Sequence, residues 1–278
     1  MKIVFFGTPE YVVPVLDKLY KTYGKGKEGL ILVVTQSPKP AGREKRMTYS
    51  PVDNRAFEKR IPKTFSFDDI PEADLGVCAA YGKIIPESVI KKFKYGILNI
   101  HPSLLPKYKG ASPVSSAIAA GEAQTGLTVI KMDKEMDHGP IVSYFKEEIL
   151  PNDTSETLRD RLFERSADFL ISLIPNYISG KVKPKEQNHK EATYTKILTK
   201  EDGFIDLTIS HSQLEISNFI RAMSPWPGAW TQLRSSSFAG QAKRLKLLPN
   251  DMVQLEGKNP VKLSQFEAAY GSLSSLSS

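Results

Sequence analysis

Short apolar runs alternate along the first half of the chain with stretches whose apolar positions recur every three or four residues. Lys2 to Phe6 is β-rich and Leu30 to Val34 is a second apolar run; between them Val12, Val13, Leu16, Leu19 and Tyr20 fall on one helical face. Gly7-Thr8-Pro9-Glu10 supplies the turn, with Thr8 placed to cap the helix and Pro9 in its first turn. Strand, helix and strand in this order favour a parallel sheet. Leu75 to Tyr81 is a continuous small-apolar run of the kind buried on both faces of such a sheet, and it exits through Tyr81-Gly82-Lys83-Ile84-Ile85-Pro86 into a helix predicted over Glu87 to Phe93. Further strands are predicted from Gly96-Ile97-Leu98 onward, over Thr125 to Met132 and over Ile141 to Phe145. Pro113 opens a helix that Gly121 stops.

The remaining segments read differently. Residues 36–51 carry three prolines, one glycine, four basic residues and one acidic residue, which predicts a mobile basic loop without regular structure. A helix is predicted over Pro51 to Lys59, and a long one over Thr154 to Ser179, begun by a capping-box-like Asp153 and Glu156, bent near its end by Pro175 and stopped by Gly180. Residues 181–203 are Lys-rich with little apolar content and read as a linker. Beyond them come a helix over His211 to Met223 and short strands over Trp230 to Leu233, Arg244 to Leu248, Met252 to Leu255 and Pro260 to Ser264. The tail, Ser272 to Ser278, is of low complexity and reads as disordered.

At 278 residues the chain is long enough for one large domain or two smaller ones, and two are expected. A formal charge of +7 suits a polyanionic partner, although charge alone is only a hint. Cys78 is the single cysteine and lies in an apolar run, so it reads as a buried small hydrophobe; an intramolecular disulfide and a cysteine-based metal cluster are excluded. No apolar run is long enough to span a bilayer, and the first apolar run breaks at Gly7, too early for a secretory signal; the expected compartment is the cytoplasm.

The candidate chemistry sits where a strand ends. Asn99 and His101 are two residues apart after an apolar run, so a strand points both side chains to one face, and Pro102 ends the ladder. A carboxamide N–H and a protonated imidazole are both donors, and such a pair suits an oxygen that gains negative charge during acyl transfer. Taken alone, the pair is more simply a polar strand end satisfied by a neighbouring loop.

The residues beyond Pro102 change that balance. Ser103-Leu104-Leu105-Pro106 and Lys107-Tyr108-Lys109-Gly110-Ala111-Ser112-Pro113 resemble the signature of folate-dependent formyltransferases, and Gly7-Thr8-Pro9-Glu10 resembles the opening of the methionyl-tRNA formyltransferases among them. The resemblance implies an α/β fold, with a Rossmann-like formyltransferase domain over residues 1–180 built on a parallel-dominated sheet. A linker over 181–203 and a small β-barrel of the oligonucleotide-binding type over 204–278 would follow it; the family normally carries more strands between Arg244-Leu245-Lys246 and Val253-Gln254-Leu255, so the barrel here reads as shortened. The resemblance implies Asn99, His101 and Asp137 around the formyl group, with Asp133 as a neighbouring control. Ser103, Leu104, Leu105 and Pro106, with Tyr81, Ile84 and Ile85, would hold the pteridine of 10-formyltetrahydrofolate. Arg43 of the Pro40-Ala41-Gly42-Arg43 string is assigned to the acceptor end of initiator methionyl-tRNA, with Lys39, Lys45 and Arg46 beside it. The family usually has a small or hydroxyl residue at the position of His138, which is expected to be an exposed bystander. No metal is expected, since no His, Asp and Glu set has metal-ligand spacing, and a monomer is expected. A sugar or purine-precursor formyltransferase, a formyltetrahydrofolate hydrolase and a catalytically idle RNA-binding protein are the other readings.

Overall fold

A computed structural model describes residues 1–25, 27–42, 44–233 and 241–273. Positions 274–278 of the tail therefore lie outside the described residues. In chain order the first elements are β1 (Lys2–Gly7), α1 (Val13–Tyr23), β2 (Gly29–Val34), β3 (Lys39–Ala41), β4 (Arg46–Thr48), α2 (Pro51–Glu58) and β5 (Lys63–Thr64). Next come β6 (Leu75–Ala79), α3 (Glu87–Ile90), β7 (Ile97–His101), β8 (Lys109–Gly110), α4 (Pro113–Ala119), β9 (Gln124–Lys131), β10 (Ile141–Glu148) and α5 (Ser155–Ile178). The chain continues with β11 (Tyr194–Thr195), α6 (Gln213–Ala222), β12 (Ala229–Leu233), β13 (Lys243–Leu248), β14 (Met252–Leu255), β15 (Val261–Lys262) and α7 (Leu263–Tyr270).

The main sheet has seven strands in the order β10-β9-β7-β6-β1-β2-β5. The five from β7 to β5 run parallel, and β9 adds an antiparallel partner to β7. Central strands need apolar residues on both faces, and β6 is buried at every position. Phe6 packs edge-on against Tyr81 and Phe93, with ring centroids 5.8 and 5.9 Å apart. Burying an aromatic of this size is worth about 1.5–3 kcal/mol. Thr8 does not cap the first helix. Its hydroxyl instead donates to the Tyr81 carbonyl at 2.9 Å, tying the ends of β1 and β6, while α1 is entered through a 3-10 turn over Glu10–Val12.

Two further local predictions are corrected, the irregular basic loop and the helix after Pro86. The basic stretch expected to be irregular forms a hairpin of β3 and β4, paired Lys39 with Thr48, Pro40 with Met47 and Ala41 with Arg46. A two-stranded ribbon has edges on both sides, which is where a proline fits, and Gly42 (φ 71°) and Lys45 (φ 49°) turn the chain. At the start of the long helix Thr154 and Thr157 form a reciprocal pair, each hydroxyl accepting the other's backbone N–H, at 3.3 and 2.9 Å, and the Thr157 hydroxyl also donates to Asp153 Oδ1 at 3.2 Å. The helix expected over Glu87 to Phe93 is a single turn, α3.

Two compact units are present among the described residues. The first comprises 1–25, 27–42, 44–109, 125–147 and 159–194; the second comprises 110–124, 148–158, 195–233 and 241–273. In the second, α4 packs on α6, whose start carries a capping box of Ser212 and Glu215. Its sheet runs β12-β13-β14-β15, antiparallel throughout. Alternation assigns its faces: Thr231, Leu245, Leu247, Val253 and Leu255 are buried, while Gln232, Arg244 and Lys246 are exposed. Where a strand is predicted to continue through Ser264, the chain turns into α7, because Phe266 buries itself on a helical face.

Candidate active site

Strands β6 and β7 are parallel neighbours, with Cys78 opposite Asn99 and Ala79 opposite Ile100, so the loops that follow them begin at one sheet edge. In β7 the polar Asn99 and His101 alternate with the buried Leu98 and Ile100. The next turn is heavily fixed. Ser103 N–H donates to the His101 carbonyl at 2.9 Å, and its hydroxyl donates to the Lys107 carbonyl at 2.7 Å. The Thr128 hydroxyl donates to the Ser103 carbonyl at 2.7 Å and accepts Leu105 N–H at 3.1 Å.

Asp137 arrives from the turn after β9 with φ of 51°, a left-handed backbone that aspartate tolerates better than most residues. Its Oδ1 accepts from Asn99 Nδ2 at 3.3 Å, and its Oδ2 lies 3.4 Å from His101 Nδ1. The imidazole and carboxylate side chains are only 5% and 9% exposed. His101 Nε2 is 2.9 Å from the Tyr108 carbonyl. A carbonyl only accepts, so Nε2 carries a hydrogen and Nδ1 is the nitrogen presented to the carboxylate. Asn99, His101 and Asp137, separated in the chain by up to 38 positions, therefore meet.

Asp133 stands apart from this trio. It accepts from Glu135 N–H at 2.9 Å and faces His138 Nδ1 at 2.6 Å. His138, expected as an exposed bystander, is half-buried and stacked on His189, with ring centroids 3.9 Å and planes 3° apart. The aspartate at one end and the second ring on its face hold it. Lys109, part of the stretch that carries the resemblance but given no role by it, is almost fully buried, and its Nζ lies 3.2 Å from His189 Nδ1. Burial pushes the Lys109 ammonium pKa down, opposed by the negative charges of Asp137, Asp133 and Glu135. The His189 pKa is also lowered, by lost hydration and by the neighbouring His138 and Lys109. Burial raises the Cys78 thiol to about 12, so it stays neutral.

Among the residues assigned to the pteridine, Ile84 is 77% exposed while Ile85 and Tyr81 are buried. Tyr81 packs between Phe6 and Phe67, and its carbonyl accepts from Thr8 and Gln36. Ser103 is fully buried and Leu105 nearly so, whereas Leu104 and Pro106 are half-buried. Open apolar surface thus comes from Ile84, Leu104 and Pro106, and the packed residues shape the backbone. Lys39, Lys45 and Arg46 are exposed on the hairpin; Lys39 donates to Gln36 and Arg46 pairs with Glu44. Arg43 lies outside the described residues. Among the described residues no group of three His, Cys, Asp or Glu could hold a metal, and no helix is long and apolar enough to cross a membrane.

A carboxamide, an imidazole and a carboxylate at the carboxyl edge of a parallel sheet form a site suited to acyl transfer. The formyl transferase family model matches residues 1–174, and the model of the formyl transferase C-terminal domain matches residues 197–261. The chain belongs to the formyl transferase family. A methionyl-tRNA formyltransferase from Chloroflexus aggregans is 40% identical over 241 residues, covering 83% of this chain and 76% of the relative. Solved structures share the fold: a 4-N formyltransferase from Francisella tularensis (TM-score 0.69, 18% identity, 90% of this chain and 98% of that one). A methionyl-tRNA formyltransferase from Clostridium thermocellum has TM-score 0.59 and 17% identity, over 94% of this chain and 99% of that one.

Proposed function

We propose that the chain transfers the formyl group of 10-formyltetrahydrofolate to the free amino group of methionine on initiator tRNA. The observation that carries the chemistry is the convergence of Asn99 and His101 on the two oxygens of Asp137. The choice of acceptor rests on the 40% identical relative, because the fold is shared with formyltransferases of other kinds.

In this reading the amine nitrogen bonds to the formyl carbon and the carbonyl electron pair moves onto oxygen. One Asn99 N–H is committed to Asp137, and the second donates to the new oxyanion. His101, with its Nδ1 beside Asp137, supplies positive charge next to that oxyanion, and Asp137 accepts the amine proton through an intervening water. Collapse breaks the bond to the folate nitrogen, which takes up a proton. Ile84, Leu104 and Pro106 offer apolar contact to the pteridine, while Tyr81, Ile85, Ser103 and Leu105 set the backbone around it; the co-substrate contributes the activated formyl group. Lys39, Arg43, Lys45 and Arg46 contact the tRNA. Residues 1–180 act as the catalytic domain, 181–203 as the connection and 204–278 as the tRNA support. The enzyme works as a monomer in the cytoplasm, where charged initiator tRNA is used.

The test supplies 10-formyltetrahydrofolate with methionyl initiator tRNA, methionyl elongator tRNA and free amino sugars. Formylation of the initiator tRNA above the other acceptors is expected. Preferred formylation of an amino sugar, or release of formate without any amine, would replace this reading.

A further inference from the structure

The turn that presents Asp137 is held in an uncommon shape. Asp137 has φ of 51°, and two residues on, Gly139 is pressed so close to β9 that an added Cβ would lie 1.9 Å from the Lys131 carbonyl. In this shape the carbonyls of Asp137, His138 and Gly139 converge on a single point. The amide nitrogen of Gln187 occupies it, with Nε2 at 2.9, 3.0 and 2.7 Å from the three oxygens. Gln187 is 6% exposed, and its Oε1 is buried without a hydrogen-bond partner. The amide orientation is therefore dictated: turning it over would set an oxygen against three oxygens. Backbone pairing flanks the contact, since Ile141 and Lys185 exchange hydrogen bonds at 2.7 and 2.8 Å, and the His138 and His189 rings stack beyond it.

We infer that Gln187 is a positioning residue: its side-chain amide fixes the 137–139 turn so that the Asp137 carboxylate reaches Asn99 and His101 together. The inference rests on the reading of Asp137 as part of the reacting site. All three contacts run to the main chain, so they are independent of the side chain at 138. They act on the placement of a carboxylate and leave substrate binding untouched.

The test uses the whole 278-residue chain with Gln187→Met, which keeps length and bulk but removes the donors, and Gln187→Asn, which keeps the amide on a stem one methylene shorter. A misplaced catalytic group costs on the order of a hundredfold, so Gln187→Met is expected to lower kcat about 10- to 100-fold, with Gln187→Asn between it and the parent. KM for both substrates stays within about threefold, because placement of the carboxylate matters to the transition state and not to ground-state binding. The double variant Asp137→Asn/Gln187→Met is expected to be no slower than Asp137→Asn alone, which a general loss of stability would not produce. Multiplying effects in the double variant, or a normal kcat in folded Gln187→Met, overturns the inference. If Gln187→Met does not fold, Gln187→Asn with normal kcat does the same. An Asp137→Asn enzyme with normal kcat would instead remove the underlying reading, whatever Gln187 does.

Discussion

Replacing Asp137 by Asn keeps the shape of the side chain and removes its charge, which makes it the sharpest probe of the electrostatic part of the site. With Oδ2 at 3.4 Å from His101 Nδ1, the attraction between the carboxylate and a positive charge that develops on the imidazole in the transition state is about 1 kcal/mol in water and about 5 kcal/mol at an effective dielectric near 20. Both side chains are less than a tenth exposed, which places the pair toward the upper part of that range. Each 1.4 kcal/mol of lost transition-state stabilisation is about tenfold in rate, so a fall in kcat of roughly 100- to 1,000-fold is expected. Rapid-quench single-turnover formylation, with both substrates saturating, measures the step directly. KM for tRNA and folate should change less than about threefold, since the lost interaction belongs to the transition state. A folded Asp137→Asn enzyme with kcat within threefold of the parent, or a defect confined to KM for tRNA, would refute the argument.

Other consequences are simpler to read. Cys78, with its thiol raised to about 12 by burial, has a folded pKa above its ordinary value of 9.0, so the neutral thiol persists from neutral pH through pH 10. Iodoacetamide at pH 8.5 should leave it unmodified until denaturant is added, and rapid labelling of the native protein would contradict its placement. The same shift means that stability contributed by this group is complete below pH 9 and is lost as pH rises toward 12, visible as a falling urea midpoint that Cys78→Ala reduces. Lys39→Ala/Arg46→Ala should raise KM for tRNA without altering KM for folate. It should also flatten the dependence of log affinity on log salt by roughly 0.7–0.9 for each phosphate no longer neutralised; an unchanged slope would free the hairpin of its assigned role.

Much of the frame was legible in the chain because apolar periodicity reports burial directly. The alternation in Ile97–His101 was enough to set Asn99 and His101 on one face, and the continuous run at Leu75–Ala79 was enough to mark a central strand. Only resemblance points to Asp137; nothing in periodicity separates it from Asp133, and its meeting with Asn99 and His101 rests on a turn whose shape depends on distant groups. The burial of Lys109 and the contacts of Gln187 are not legible in the sequence for the same reason. Gln187 lies in a polar run that reads as a connection, and its meaning comes from carbonyls about 50 positions away. Thr128 sits within an ordinary strand pattern, although its hydroxyl braces the loop after His101. The Lys39–Thr48 hairpin escaped because prolines and glycine argue against a sheet interior, whereas a two-stranded ribbon has none.

The most direct measurement of the central claim is the single-turnover rate of Asn99→Ala at saturating co-substrate and acceptor tRNA. If the amide N–H of Asn99 meets the oxyanion, the rate falls on the order of 100- to 1,000-fold while the melting temperature and both KM values hold near those of the parent. A folded Asn99→Ala enzyme that formylates at the parent rate would show that the oxyanion is held elsewhere.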